Sequence, residues 1–307
     1  MNKRALVIGE ALVDVVHAAD GTVTDYPGGS PANVALGLAR LDRVTELAAW
    51  FGTDERGLLV REHLESGGVQ LVPGSDHAER TSTAVATLAA DGAATYTFDL
   101  TSRVPEVVLD DSMVVLHTGS IAATLHPSAE AITELCHEAR EYATISYDPN
   151  ARPTIMGTAE EVLPRIEALV AGADVVKVSD EDVAWLYPGA DVESVLRRWA
   201  AAGPALVVLT RGAAGSIGVT SAGEQVDVPS PQVAVVDTVG AGDSYMAGLL
   251  DALWSADLLG ADRRERLHQL DARTTYQAMA HAATIAAIVV SRAGANPPTR
   301  SELEDTE

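Results

Sequence analysis

The chain has 307 residues, 47% of them hydrophobic, which is enough to bury the core of one large α/β domain and excludes intrinsic disorder. A formal net charge of −23 excludes nucleic-acid binding through a basic footprint and attraction to an anionic membrane surface. With neither a long uncharged apolar run nor a signal-peptide pattern at the start, the expectation is a cytoplasmic protein with no membrane segment.

Residues 5–9 read as a buried strand, and the chain then continues through Glu10 to Val16, which puts Asp14 just past its carboxyl end. Open α/β sheets bind ligands at that edge. Tyr26-Pro27-Gly28-Gly29-Ser30-Pro31-Ala32-Asn33 precedes Val34, Leu38 and Leu41 at helical spacing. Ser30 and Pro31 suit the N-cap and first helical positions, with Asn33 in the first turn. Gly28 and Gly29 let a small polar ligand reach the backbone there, although Pro-Gly-Gly is also an ordinary turn. Residues 44–51 read as a second strand, and Gly52-Thr53-Asp54-Glu55-Arg56-Gly57 opens the following helix.

The period then changes. Residues 81–88 and 94–98 are β-rich and separated by Asp91-Gly92, a hairpin signal. Together, segments of about 11–25 and 81–100 are expected to form a small β-sheet covering the site as a lid, the plainer alternative being a solvent-facing edge hairpin. Tyr96 and Phe98 share one face of it. Further on, residues 113–117, 144–148, 174–178 and 205–210 are short, Val-rich and bounded by polar turns, as parallel strands are. Cys136, the single cysteine, lies with Ile132, Leu135 and Ala139 on an apolar helix stripe and reads as an inert core thiol. Residues 271–290 form a long Ala-rich helix, and 302–307 an acidic, frayed tail. The fold expected is a single α/β domain over 1–307, a doubly wound, mostly parallel sheet flanked by helices with a small β-sheet lid.

The chemistry concentrates at 235–250. Val235 and Val236 read as a strand end and Gly240-Ala241-Gly242 as a turn. A helix then begins near Gly242, with Met246, Leu249, Leu250, Leu253 and Trp254 along one stripe. Unpaired N–H groups at such a start can cradle a phosphate. Asp243 has two readings: a cap, worth about 0.5–2 kcal/mol, or a general base beside an anion hole. Asp14, residues 148–152, residues 210–215 and residues 237–243 should all end strands on one sheet edge. In the second of these, Asp148, Asn150 and Arg152 offer a carboxylate, an amide and a guanidinium able to hold a hydroxyl or phosphate oxygen.

Residue identity removes several competitors. No glycine-lysine pair exists for a Walker A loop, Tyr245 stands where a dinucleotide fingerprint needs its third glycine, and no serine has a G-x-S-x-G setting. The eight histidines are scattered, so no His/Cys metal cluster is expected. What remains is phosphoryl transfer without a P-loop lysine, in which Asp243 deprotonates a polyol hydroxyl and the amides of Gly240, Ala241 and Gly242 stabilise the transferring group, with Mg²⁺ bridging the nucleotide phosphates.

The Asp-Thr-Val-Gly-Ala-Gly-Asp segment at 237–243, Gly28-Gly29 followed by Asn33, Gly52-x-Asp54-x-x-Gly57 and Thr210-x-Gly212-x-x-Gly215 occur in an order that resembles the ribokinase-like (PfkB) carbohydrate kinases over essentially the full length. The resemblance implies an ATP-dependent sugar kinase using Mg²⁺, with Asp243 as base and Gly240 to Gly242 as anion hole. It implies Asp14, Gly28, Gly29, Asn33, Phe98 and Arg152 at the sugar, and Lys177, Thr210, Gly212 and Gly215 along the nucleotide. Asp237 matches an acid near a monovalent-cation site, which makes K⁺ a candidate activator. The 148–153 and 291–298 segments look most like the fructokinase branch, favouring fructose converted to fructose 6-phosphate. Ribose, 2-keto-3-deoxygluconate or a nucleoside are the alternatives on the same fold, and a non-catalytic sugar-binding regulator is the alternative of another class. Ser179 and Asp182 stand where the family commonly has N-x-x-E, which leaves Asp182 as a metal-linked candidate. The partners implied are a small sugar and MgATP, with a homodimer paired through the lid edge.

Overall fold

In the computed structural model, residues 3–88 and 94–304 are described, so the Asp91-Gly92 turn lies outside the described residues. The strands are β1 Arg4–Ile8, β2 Leu12–His17, β3 Val23–Gly28, β4 Thr45–Ala48, β5 Gln70–Leu71, β6 Thr83–Leu88, β7 Ala94–Asp99, β8 Met113–Gly119, β9 Thr144–Asp148, β10 Val175–Ser179, β11 Leu206–Thr210, β12 Ser216–Thr220 and β13 Gln225–Val228. The α-helices are α1 Ser30–Arg40, α2 Glu55–Ser66, α3 Ser128–Ala139, α4 Pro153–Met156, α5 Ala159–Gly172, α6 Asp180–Leu186, α7 Val192–Ala202, α8 Ala241–Ser255, α9 Arg264–Leu267, α10 Ala272–Val290 and α11 Arg300–Glu304.

Among the described residues, the larger sheet has nine strands in the order β13-β12-β11-β10-β9-β8-β1-β4-β5. From β11 to β5 every neighbouring pair is parallel, whereas β12 and β13 add antiparallel edge strands. The parallel strands are covered on both faces, which is why they read as unbroken apolar runs. Strand β1 shows the division directly. Ala5 and Val7 face a core shared with α1, α8 and α10, while Leu6 and Ile8 face one shared with α3, α5 and α7. Cys136 is buried in the second core, and burial pushes its thiol up to about 12, as an inert core cysteine requires.

The expected small sheet is present, in the order β3-β2-β6-β7, with β2 parallel to β6. That pairing joins the segments near 11–25 and 81–100 and carries Asp14 on β2. Its base is clamped to the main body through the Gly52–Gly57 motif. Asp54 Oδ1 accepts from Gly57 N–H as the cap of α2 and from Thr81 Oγ1, and Oδ2 accepts from Thr81 N–H, each at 2.8 Å.

Three local expectations are corrected. The N-cap of α1 is Gly29, at φ 108°, instead of Ser30, which lies inside the helix and leaves its hydroxyl for other use. Residues 229–239 are not a strand; β13 ends the sheet at Val228, and Val236 N–H and Asp237 N–H bond to the carbonyl of Val290. Finally, residues 302–304 of the expected frayed tail belong to helix α11, which is held by Arg292 to Glu302 at 2.8 Å and by Arg300 to Asp251 at 2.6 Å.

Candidate active site

Helix α8 begins at the sheet's carboxyl edge. Its N-cap Gly240 has φ 74°, a left-handed conformation that favours glycine, and Ala295 packs so close that a Cβ on Gly240 would lie 2.5 Å from the Ala295 Cβ. Ala241 N–H is partly engaged with the Thr238 carbonyl at 3.3 Å, so the amides of Gly240 and Gly242 are the better placed anion donors.

Asp243 occupies the first turn, 7% exposed. Its side chain is held entirely by neutral donors: Ser30 Oγ gives to Oδ1 at 2.7 Å, Asn33 Nδ2 to Oδ2 at 2.8 Å and Asn150 Nδ2 to Oδ1 at 3.2 Å. The Asn150 amide is oriented in turn by Arg152, whose NH1 donates to Asn150 Oδ1 at 2.7 Å. In the sequence Ser30 read only as a cap and Asn150 only as a polar group of the loop after β9, neither of them as a partner of Asp243. Ser30 reads as a cap until the helix start moves to Gly29, and Asn150 adopts φ 37°, which no local pattern announces.

The sugar-side candidates gather nearby. A Cβ on Gly28 would lie 2.4 Å from Asp14 Oδ2, and one on Gly29 would lie 2.5 Å from the Glu10 carbonyl. Burial pushes the Asp14 carboxyl above its ordinary range against the opposing charge of Arg152. Arg152 itself is exposed. Phe98 stands two strands from Asp14, across Ala84 in register, and stacks on Tyr96 with centroids 6.2 Å apart. It is placed on the same sheet face as Asp14, with Tyr26 beside it.

Thr210, Gly212 and Gly215 line a cavity of about 300 Å³ that continues past Tyr245 to Ala241 and Gly242. Lys177 departs from its expected place. It does not line that cavity; its ammonium lies beneath the glycine turn, 3.0 Å from where a Cβ on Gly242 would stand. Its partner is Asp148 Oδ2 at 2.9 Å, an ion pair outside hydrogen-bond alignment, with both side chains almost fully buried. Burial pushes the Asp148 carboxyl up to about 6 against the pull of Lys177, with Asp182 adding to the rise. Burial, with Lys177 near, pushes His117 down to about 3, so it is neutral at pH 7.

The two metal candidates are committed to backbone. Asp182 forms a capping box with Ser179 and accepts from Ala151 N–H at 2.9 Å, fastening the loop after β9 to α6. Asp237 accepts from Val239 N–H at 3.0 Å and Gly294 N–H at 2.9 Å, which lowers its carboxyl. Among the described residues no three His, Cys, Asp or Glu side chains group to hold a metal, and no helix is long and apolar enough to cross a membrane. Mg²⁺ does not need such a cage: it is ordinarily held by one or two carboxylates, water and substrate phosphates.

Comparison with known proteins decides the family, since residues 2–302 match the pfkB family carbohydrate kinase model. The chain belongs to the pfkB family of carbohydrate kinases. It is a phosphotransferase acting on a sugar hydroxyl. This kinase is 34% identical over 268 residues to a fructokinase of Rhizobium leguminosarum bv. trifolii, covering 83% of this chain and 81% of that protein. A fructokinase double mutant from Vibrio cholerae O395, bound to fructose, ADP and potassium ion, aligns with TM-score 0.80 and 27% identity over 99% of this chain and 97% of that one. The aminoimidazole riboside kinase of Salmonella enterica, complexed with aminoimidazole riboside and an ATP analog, aligns with TM-score 0.78 and 26% identity over 99% of each.

Proposed function

We propose that this kinase transfers the γ-phosphoryl of MgATP to a primary hydroxyl of fructose, giving fructose 6-phosphate. The observation that carries the proposal is the position of Asp243, joined by hydrogen bonds to Ser30, Asn33 and Asn150 and next in the chain to Gly242, which lines the cavity. In this reading the sugar hydroxyl displaces a neutral donor from Asp243, and the carboxylate takes its proton as the oxygen attacks phosphorus. The bond from phosphorus to the bridging oxygen breaks, and ADP leaves. The amides of Gly240 and Gly242, with Lys177 beneath them, face the charge that develops on the phosphoryl oxygens. Asp14, Gly28, Gly29, Asn33 and Arg152 hold the sugar hydroxyls, Phe98 walls the lid side, and Thr210, Gly212 and Gly215 flank the nucleotide.

Bound Mg²⁺ would offset phosphate charge, which matters in a chain of net charge −23. Asp148, at the end of β9, and Asp182, in the first turn of α6, are the nearby carboxylates through which it would be linked, directly or by water. Asp237, with Gly294 on it, is the proposed anchor of a K⁺ site.

The test is a coupled ADP-release assay across fructose, ribose, 2-keto-3-deoxygluconate and aminoimidazole riboside. Fructose is expected to give the highest kcat/KM. Turnover of the riboside with none on fructose would overturn the substrate assignment while leaving the kinase chemistry intact. The riboside is included because a riboside kinase matches this fold almost as well as the fructokinase does.

A further inference from the structure

Glu10 has no part in the site as described, yet it touches two of the turns that support it. It lies two residues past the end of β1, where the chain passes to β2. Its main-chain carbonyl packs under Gly29, whose φ of 108° and lack of a side chain allow the approach. Its side chain reaches to the turn after β8. There Oε2 accepts from Ala122 N–H at 3.1 Å, with the Ser120 side chain close enough to the same carboxylate to lower it. Burial pushes that carboxyl up, opposed by these contacts and by the charge of Arg152, which also acts on Asp14.

The turn it grips is strained. Ser120 has φ 56° and ψ −149°, a region that residues with a Cβ adopt only where the surroundings over-determine it. Ser120 is buried, and its N–H donates to the Asp148 carbonyl at 3.1 Å, next to the loop that carries Asn150 and Arg152. Glu10 therefore ties together three strand-end turns: its own, the Gly28-Gly29 turn, and the Ser120 turn that leans on β9.

We propose that Glu10 is a positioning residue for sugar binding, holding the Ser120 and Gly29 turns in register so that Asp14 and Arg152 meet the sugar without rearrangement. What matters is the reach of its acceptor oxygen, since Ala122 N–H, two residues past Ser120, needs an acceptor at that distance. The proposal rests on the sugar-side reading of Asp14 and Arg152.

The test compares Glu10→Gln, which keeps an acceptor at the same reach, with Glu10→Asp, which keeps the charge but is one methylene shorter. For Glu10→Asp, the sugar KM is expected to rise about 10- to 100-fold with kcat and the ATP KM within about threefold, while Glu10→Gln stays within about threefold of wild type. Ser120→Gly added to Glu10→Asp should bring the sugar KM back down, because glycine holds the turn without the clasp. An unchanged sugar KM in Glu10→Asp, or a KM that follows charge so that Glu10→Gln is the impaired variant, overturns the proposal. Asp14→Ala and Arg152→Ala serve as the reference: if neither raises the sugar KM, the sugar-side reading itself has failed, whereas if they do and Glu10→Asp does not, only the role of Glu10 falls.

Discussion

Helix α8 carries two buried carboxylates about two turns apart, and they are held in opposite ways. Asp243, at the helix start, accepts from a hydroxyl and two amides. Asp251, 1% exposed, accepts from Arg43 Nε at 2.7 Å, Arg300 NH2 at 2.6 Å and His281 Nε2 at 2.9 Å. Burial alone would push the Asp251 carboxyl up, but its hydrogen bonds from His281 and Arg300 and the charge of Arg43 hold it well below the usual range. Three potential cations around one acid make a structural lock, joining α8 to the loop after α1, to α10 and to α11. Around the other, neutral groups make all the hydrogen bonds and fix its orientation, with Lys177 near but not bonded to it. The same residue type on the same helix thus serves packing at one end and offers a proton acceptor at the other.

Substitution of each acid should separate the roles cleanly. Asp243→Asn is expected to lower kcat by about 10²–10⁴-fold, with thermal stability close to wild type, because the amide oxygen keeps the bonds from Ser30 and Asn150 and the amide nitrogen can donate to Asn33 once that side-chain amide turns over. A kcat near wild type would leave Asp243 as a structural partner of Ser30, Asn33 and Asn150 and not a base. Asp251→Ala should do the reverse. Breaking a buried ion pair costs about 3–5 kcal/mol, and the partial exposure of Arg43 and Arg300 places this case near the lower end, read as a lowered denaturant midpoint with kcat retained wherever the protein is folded. If Asp251→Ala lost activity without losing stability, the contrast between the two ends would be wrong.

The two acids also differ in how far the sequence revealed them. Asp243 stands in a compact motif whose glycines and following apolar stripe are contiguous, so the helix start and its amides were legible from local residues. The lock at Asp251 draws on residues 43, 281 and 300, brought together only by packing, and nothing in its own neighbourhood announces a buried charge. The same limit explains Ser30, whose N-cap appearance hid its bond to Asp243, and Lys177, whose strand position gave no sign of a partner one strand away in Asp148. The parallel strands were legible because burial on both faces leaves unbroken apolar runs, whereas residues 233–236 share that composition but lie exposed past the sheet edge. Glycine turns betray backbone geometry; long-range ion pairs do not.

The smallest expected effect contrasts Asp251 with Asp148, and it turns on pH. Asp251 is depressed from its ordinary 3.8, so the stability it contributes is present above that value and is lost as pH falls toward and through its folded pKa. Asp148 is raised from 3.8 to about 6, so its contribution has the opposite sign: fully present below the ordinary value and lost as pH rises through about 6. Asp148→Asn removes that second dependence while leaving Lys177 near the acids Asp182 and Asp243. Urea midpoints measured at about pH 4.5 and about pH 7 should therefore show wild type losing stability relative to Asp148→Asn as pH rises. A relative gain would mean that Lys177 outweighs burial and holds the Asp148 carboxyl low. The pair beneath the glycine turn would then be a lock like that at Asp251, and the charge of Lys177 would be spent on Asp148 instead of being directed at the turn above it.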